Sequence, residues 1–97
     1  MNTTEHLLTC LAEEGGEITQ AATKALRFGL LDYPHEGAPT NTEQLVAELN
    51  DLLGVARSLV EIGALPKDWQ SEAAQEAKRI KVDSYMSYAH SLGTLQP

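Results

Sequence analysis

The chain has 97 residues, 42% hydrophobic and 22% charged, with 7 Lys and Arg against 14 Asp and Glu for a formal net charge of −7. That length holds one small domain with a limited interior, which self-association would enlarge. That charge excludes a protein that coats a nucleic acid polymer through its phosphates.

Ala, Leu, Glu and Gln are abundant and aromatic residues make up only 5%, so composition favours helices and gives a sheet no support. The first helix is expected to start at Thr3 or Thr4, either of which can cap it, and to run to about Phe28 before Gly29. Leu7, Leu8, Leu11, Ile18, Ala22, Ala25 and Leu26 recur along it with helical period. Gly15-Gly16 breaks that regularity. Each glycine costs a helix interior about 1 kcal/mol relative to Ala, so the pair predicts a kink or the close approach of another backbone.

Asp32, Pro34, Gly37 and Pro39 punctuate a loop over residues 30–39. Thr40-Asn41-Thr42-Glu43 then matches a capping box, with Thr40 accepting from the backbone and Glu43 reaching back. A second helix follows to about Ile62, with Leu45, Leu49, Leu52, Leu53, Ala56, Leu59 and Val60 as its core face, and Gly63 ends it. Pro66-Lys67-Asp68 reads as a turn, and a third helix is expected from about Trp69 to Leu92, closing at Gly93, with Ala73, Ala77, Ile80 and Met86 as packing residues. The expected architecture is all-α and a single domain over 1–97: an antiparallel helix pair spanning about 3–63 and a C-terminal helix at about 69–92.

The acids carry the chemistry. Glu13-Glu14-x-x-Glu17 lies in the first helix and Glu48-x-x-Asp51 in the second. Spacings of three and four residues put side chains on one helix face. Glu14 is flanked by Leu11 and Ile18, and Glu48 by Leu45 and Leu52, so both border apolar stripes. A carboxylate at the edge of a core must be protonated, paired or bound to a cation, and these helices carry too few bases to pair them all. A solvated acidic face is the alternative for either cluster alone, but it would lie opposite the core. Oxygen donors suit a hard cation, Mg²⁺ or Mn²⁺, better than zinc.

These residues resemble the signature of the MazG-like all-α nucleoside triphosphate pyrophosphohydrolases, Glu-Glu-x-x-Glu followed on the next helix by Glu-x-x-Asp. It reads here Leu11-Ala12-Glu13-Glu14-Gly15-Gly16-Glu17-Ile18 and Val46-Ala47-Glu48-Leu49-Asn50-Asp51-Leu52-Leu53. The resemblance covers about residues 5–62. It implies that Glu14, Glu17, Glu48 and Asp51 bind Mg²⁺, with Glu13 beside them or on a second ion and a candidate base. The implied reaction is attack of water at the α-phosphorus, releasing a nucleoside monophosphate and pyrophosphate. The resemblance also implies four-helix-bundle units formed as a homodimer or homotetramer.

Phosphates call for cations, and Lys24, two turns after Glu17, is the first candidate, with Arg27 a poorer one. Lys78 and Lys81 share a third-helix face with Tyr85 and are either phosphate ligands or a solvated basic face. For the base, Asn50 could read an edge and Tyr85, Trp69 or Tyr88 could stack on a ring, but core or interface packing explains each of them better. His6, His35 and His90 show no catalytic spacing, and neither a phosphate-binding glycine loop nor a nucleophilic triad is visible.

The single cysteine, Cys10, has no partner for an intramolecular disulfide, no apolar run spans a bilayer, and the first six residues lack a basic start. A cytoplasmic protein without membrane attachment is expected. Two rivals to hydrolysis stand: a protein on the same scaffold that binds a nucleotide or nucleotide signal without cleaving it, and a helical interaction module with incidental acids.

Overall fold

A computed structural model describes all 97 residues as three helices without a strand: α1 (Thr3–Phe28), α2 (Asn41–Glu61) and α3 (Glu72–Leu92). The expected all-α class is what the chain adopts. Two compact units divide it, Met1–Lys67 and Asp68–Pro97.

The first unit is an antiparallel hairpin of α1 and α2. Asn2, one residue earlier than the expected caps Thr3 and Thr4, starts α1: its Oδ1 accepts from the Glu5 N–H at 2.8 Å. Asn caps better than Thr, which explains the difference. Helical structure continues through Gly15-Gly16, and a Cβ built at either glycine meets nothing within 4 Å. The expected close backbone approach is therefore not made within this chain.

Two stripes with alternating steps of four and three residues bring the helices together. Leu7, Leu11, Glu14, Ile18, Ala21 and Ala25 form one, and Asn41, Leu45, Glu48, Leu52, Val55 and Leu59 the other; every one is buried or half-buried. This 3.5-residue period is that of a coiled-coil seam. Ala21 and Leu59 of the seam, with Ala56 one position after Val55, are the buried apolar residues.

The core faces expected from sequence divide here. Leu8, Ala22, Leu26, Leu49 and Leu53 lie one position after a seam residue and are exposed. In antiparallel helices that one-residue step turns both side chains toward the same side of the hairpin. Leu8, Ala12, Gly15, Thr19, Ala22 and Leu26 of α1 thus make a second stripe beside Val46, Leu49, Leu53 and Val60 of α2.

The connecting loop is tied down. Asn41 Nδ2 donates to the Gly29 carbonyl at 2.8 Å, and the backbone N–H groups of Asn41 and Thr42 donate to the carbonyls of Asp32 and Leu30, each at 2.9 Å. Gly29, at φ +96°, turns the chain out of α1. The capping box is complete, with Glu43 N donating to Thr40 Oγ1 at 3.1 Å and Thr40 N to Glu43 Oε1 at 3.0 Å. The Thr40 backbone N–H and hydroxyl hold the Glu43 carboxyl below its ordinary range. Thr40→Ala is expected to cost about 1 kcal/mol in a denaturant melt. Since the folded pKa of Glu43 is depressed, the capped protein's advantage is present above the unfolded-state pKa and fades as pH falls through the folded one.

In the second unit, α3 starts at Glu72 rather than Trp69, because Ser71 caps it by accepting from Ala74 N at 3.0 Å. Gly93 closes it in the left-handed region, at φ +77°. No residue of α3 is buried, so Ala73, Ala77, Ile80 and Met86, expected to pack, are exposed. Its Glu76–Arg79 ion pair, at 2.9 Å and open to solvent, contributes under about 1 kcal/mol.

Candidate metal centre and adjoining cavity

Glu14 and Glu48 occupy seam positions halfway along the hairpin, where every neighbouring step of the stripe on either side is an aliphatic residue. Glu17 and Asp51 sit three residues further along each helix, on the same edge of the seam. The antiparallel arrangement then opposes the two pairs. One carboxylate oxygen from each of Glu14, Glu17, Glu48 and Asp51 lies within 4.8 Å of all the others.

Their neutralisation is incomplete. The only ion pair in the chain is Glu76–Arg79 of α3, so none of the four acids is matched by a base. Gln44 Nε2 donates to Glu48 Oε1 at 2.6 Å, but Glu14 Oε2 and Glu48 Oε2 are shut away from solvent with no hydrogen-bond partner. A buried oxygen left in that state costs about 1–3 kcal/mol, more when charged. The neighbouring Glu48 carboxyl, and then the repulsion of Glu14, push the Glu17 carboxyl up to about 7 in the metal-free cluster. Two inward-facing orphan oxygens and two solvent-side carboxylates fit a hard divalent ion that enters from the Glu17 and Asp51 edge and keeps part of its water.

A cavity of about 490 Å³ adjoins the acids and shares Glu17 and Glu48 with them. α1 contributes Gln20, Lys24 and Phe28, the loop contributes Asp32 and His35 among others, and α2 contributes Asn41 and Gln44.

Among the residues singled out from sequence, Glu14, Glu17, Glu48 and Asp51 are brought together, and Lys24 lines the cavity beside them. Glu13 is exposed and lies outside the four. The Arg27 guanidinium rests over the Phe28 ring, 5.0 Å from its centroid, and does not line the cavity. Asn50 turns back on its own helix, donating from Nδ2 to the Val46 carbonyl at 2.9 Å. Lys78, Lys81, Tyr85 and Tyr88 are exposed on α3. Of the histidines, His35 lines the cavity, while His6 and His90 are exposed elsewhere.

Sequence reasoning overlooked Phe28, Asp32, Asn41 and Gln44. Asn41 carried a signal, an amide at the first position of a helix that begins with a strong cap, but the other three depend on how the loop folds back over α1. Comparisons with protein-family models, curated proteins and solved structures find no match for the chain.

Proposed function

We propose that this chain is a MazG-like, Mg²⁺-dependent nucleoside triphosphate pyrophosphohydrolase, which converts a nucleoside triphosphate and water to the monophosphate and pyrophosphate. The observation that supports this reading best is the convergence of Glu14, Glu17, Glu48 and Asp51, two of which hold buried oxygens without partners, at the mouth of a cavity of nucleotide size. Those four residues would hold Mg²⁺. When bound, the ion would neutralise the phosphate chain and stabilise the pyrophosphate as it leaves.

The chain's own groups do the rest. Whichever of the four carboxylates is not fully used in coordination, with Glu17 and Asp51 on the solvent side, is suited to take a proton from an attacking water. Glu13, exposed one residue from Glu14, is the alternative base. Gln44 fixes one oxygen of Glu48, so that its other oxygen stays turned into the cluster. Lys24 supplies a charge-assisted hydrogen bond to a phosphate oxygen. Lys24→Gln is accordingly expected to raise KM by roughly 10- to 100-fold, the loss of one hydrogen bond to a charged group, in steady-state assays at saturating Mg²⁺.

The working form is proposed to be a homodimer, or a tetramer of two dimers, with hairpins paired into four-helix bundles. One feature of the Met1–Lys67 unit supports it. The second stripe of Leu8, Leu26, Val46, Leu49 and Leu53 supplies apolar side chains for it, on the side of the hairpin away from the acids.

A panel of canonical and modified nucleoside triphosphates with Mg²⁺, read by pyrophosphate release, tests the activity. Turnover abolished by EDTA supports the hydrolase. Tight binding without turnover makes the chain a nucleotide-sequestering protein instead, and neither binding nor turnover leaves a helical interaction module.

A further inference from the structure

We propose that the cavity beside the acids receives the base of the nucleotide and favours cytosine and adenine, whose exocyclic amine stands where uracil and thymine carry a carbonyl, over uracil and thymine. This inference rests on the nucleotide reading above and names the part of the nucleotide that the cavity selects.

The cavity's far end is rich in hydrogen-bond acceptors. Asn41 is held 91% buried, since its relative exposure is 9%. Its Nδ2 is committed to the Gly29 carbonyl, while its Oδ1 accepts no hydrogen bond from the chain. Asp32 adds a carboxylate, anchored through its own backbone carbonyl by the Asn41 N–H. His35 Nδ1 lies 3.1 Å from the Glu36 carbonyl. A carbonyl can only accept, so Nδ1 holds the proton in that contact and the Nε2 of a neutral ring is left as an acceptor. Three acceptor-bearing residues lining one cavity call for a donor-rich ligand edge.

The walls suit a flat ring. The face of Phe28, with Pro34, Ala38 and Pro39 of the loop, gives apolar surface on which an aromatic heterocycle can lie. Placement along the hairpin agrees. Asn41 is seven residues before Glu48, about 10 Å along α2 at 1.5 Å per residue, roughly the reach from an α-phosphate to the far edge of its base. With the phosphates at the acids, the base edge meets Asn41, Asp32 and His35.

Amino groups are then the discriminating feature. Cytosine N4 and adenine N6 are donors, whereas thymine and uracil set a carbonyl oxygen where cytosine carries its amine. A carbonyl there faces acceptors and leaves Asn41 Oδ1 unmatched. One such mismatch corresponds to about tenfold in affinity.

The test is isothermal titration of the full chain with CMP, AMP and UMP at saturating Mg²⁺; a monophosphate has no pyrophosphate to release, so turnover does not enter the readout. CMP and AMP are expected to bind at least about tenfold tighter than UMP. Asn41→Ala should remove that preference, but it also unties Gly29 and is informative only if circular dichroism shows it folded. Asp32→Asn leaves the backbone anchor in place and should reduce the preference for CMP over UMP several-fold, and Phe28→Ala should weaken all three ligands together.

Equal affinity for CMP and UMP, no binding of any monophosphate, or an Asp32→Asn variant with the parent's preference would overturn the assignment. The two proposals fail separately. Amino-selective monophosphate binding by a chain that releases no pyrophosphate retains the base cavity and removes the hydrolase. Indiscriminate hydrolysis of all triphosphates, with monophosphate binding blind to the base, does the reverse.

Discussion

Glu48→Gln is expected to give a protein that is more stable than the parent in EDTA, is no longer stabilised by Mg²⁺, and has lost pyrophosphate release. Glu48 sits in the hairpin seam beside Glu17, accepts from Gln44 Nε2 at one oxygen, and keeps its other oxygen buried without a partner. An amide removes the charge at nearly constant volume, and so relieves the cluster when no cation is present. The parent, by contrast, gains folding free energy from the ion. At a Mg²⁺ concentration one hundred times its Kd the gain is about 2.7 kcal/mol, which for a domain of this size raises Tm by on the order of 10 °C. Thermal melts of both proteins across a Mg²⁺ series measure this. Equal Mg²⁺ responses in parent and variant would remove Glu48 from the ligand set.

Titration with pH gives the same experiment a second axis. Glu17 is raised from 4.5 to about 7 in the folded protein. Between those values the native state holds more protons than the unfolded chain, so rising pH favours unfolding, and below or above the window the effect is flat. The metal-free parent should therefore lose stability from about pH 4.5 to 7. Glu48→Gln takes away the carboxylate that contributes most to the raised value, and saturating Mg²⁺ competes with the proton. Both should flatten the slope, and denaturant melts at half-unit pH steps display it.

The second large effect concerns the uncovered stripe. Leu53→Glu places a charge among Leu49, Val46 and the small residues Ala12 and Gly15 of the neighbouring helix, on the face proposed to pair hairpins. Burial of a leucine is worth about 1.5–3 kcal/mol, and each change in a homodimer occurs twice. The variant is expected to run as a monomer in analytical ultracentrifugation at concentrations where the parent is dimeric, with a loss of several kcal/mol in apparent stability. Leu53 faces away from the acids, so a protein already monomeric before substitution would show no change in sedimentation and would dispose of the dimer.

Much of the hairpin was legible because local chemistry fixes it. Thr40 and Glu43 announce the start of α2 three residues apart, and the acid spacing announces which carboxylates share a face. The start of α3 was written in Ser71 followed by Glu72, a cap and a first-turn acid, but the more conspicuous Pro66-Lys67-Asp68 turn outweighed it. Periodicity could not divide Leu45, Leu52 and Leu59 from Leu49 and Leu53. Both sets repeat with the same 3.5-residue period, and only the position of α1 decides which of them meets a partner. The cavity wall was out of reach for a similar reason: Phe28, Asp32 and His35 precede Asn41 by a helix end and an irregular loop whose path no period reveals, and hydrogen bonds from Asn41 and Thr42 back to residues 29–32 bring them together.

The two glutamates at mid-seam also divide the zipper. Leu7 and Leu11 lie on one side of Glu14, and Ile18, Ala21 and Ala25 on the other, so neither half offers more than about two turns of continuous grease. Helical pieces that short do not hold by themselves in water. An ion gripped between the halves would act as a rivet, coupling loop end to open end into one cooperative block. Its departure would leave the two ends free to fray independently, so amide exchange should be fastest on either side of Glu14 and Glu48 in the stripped protein and uniform in the loaded one.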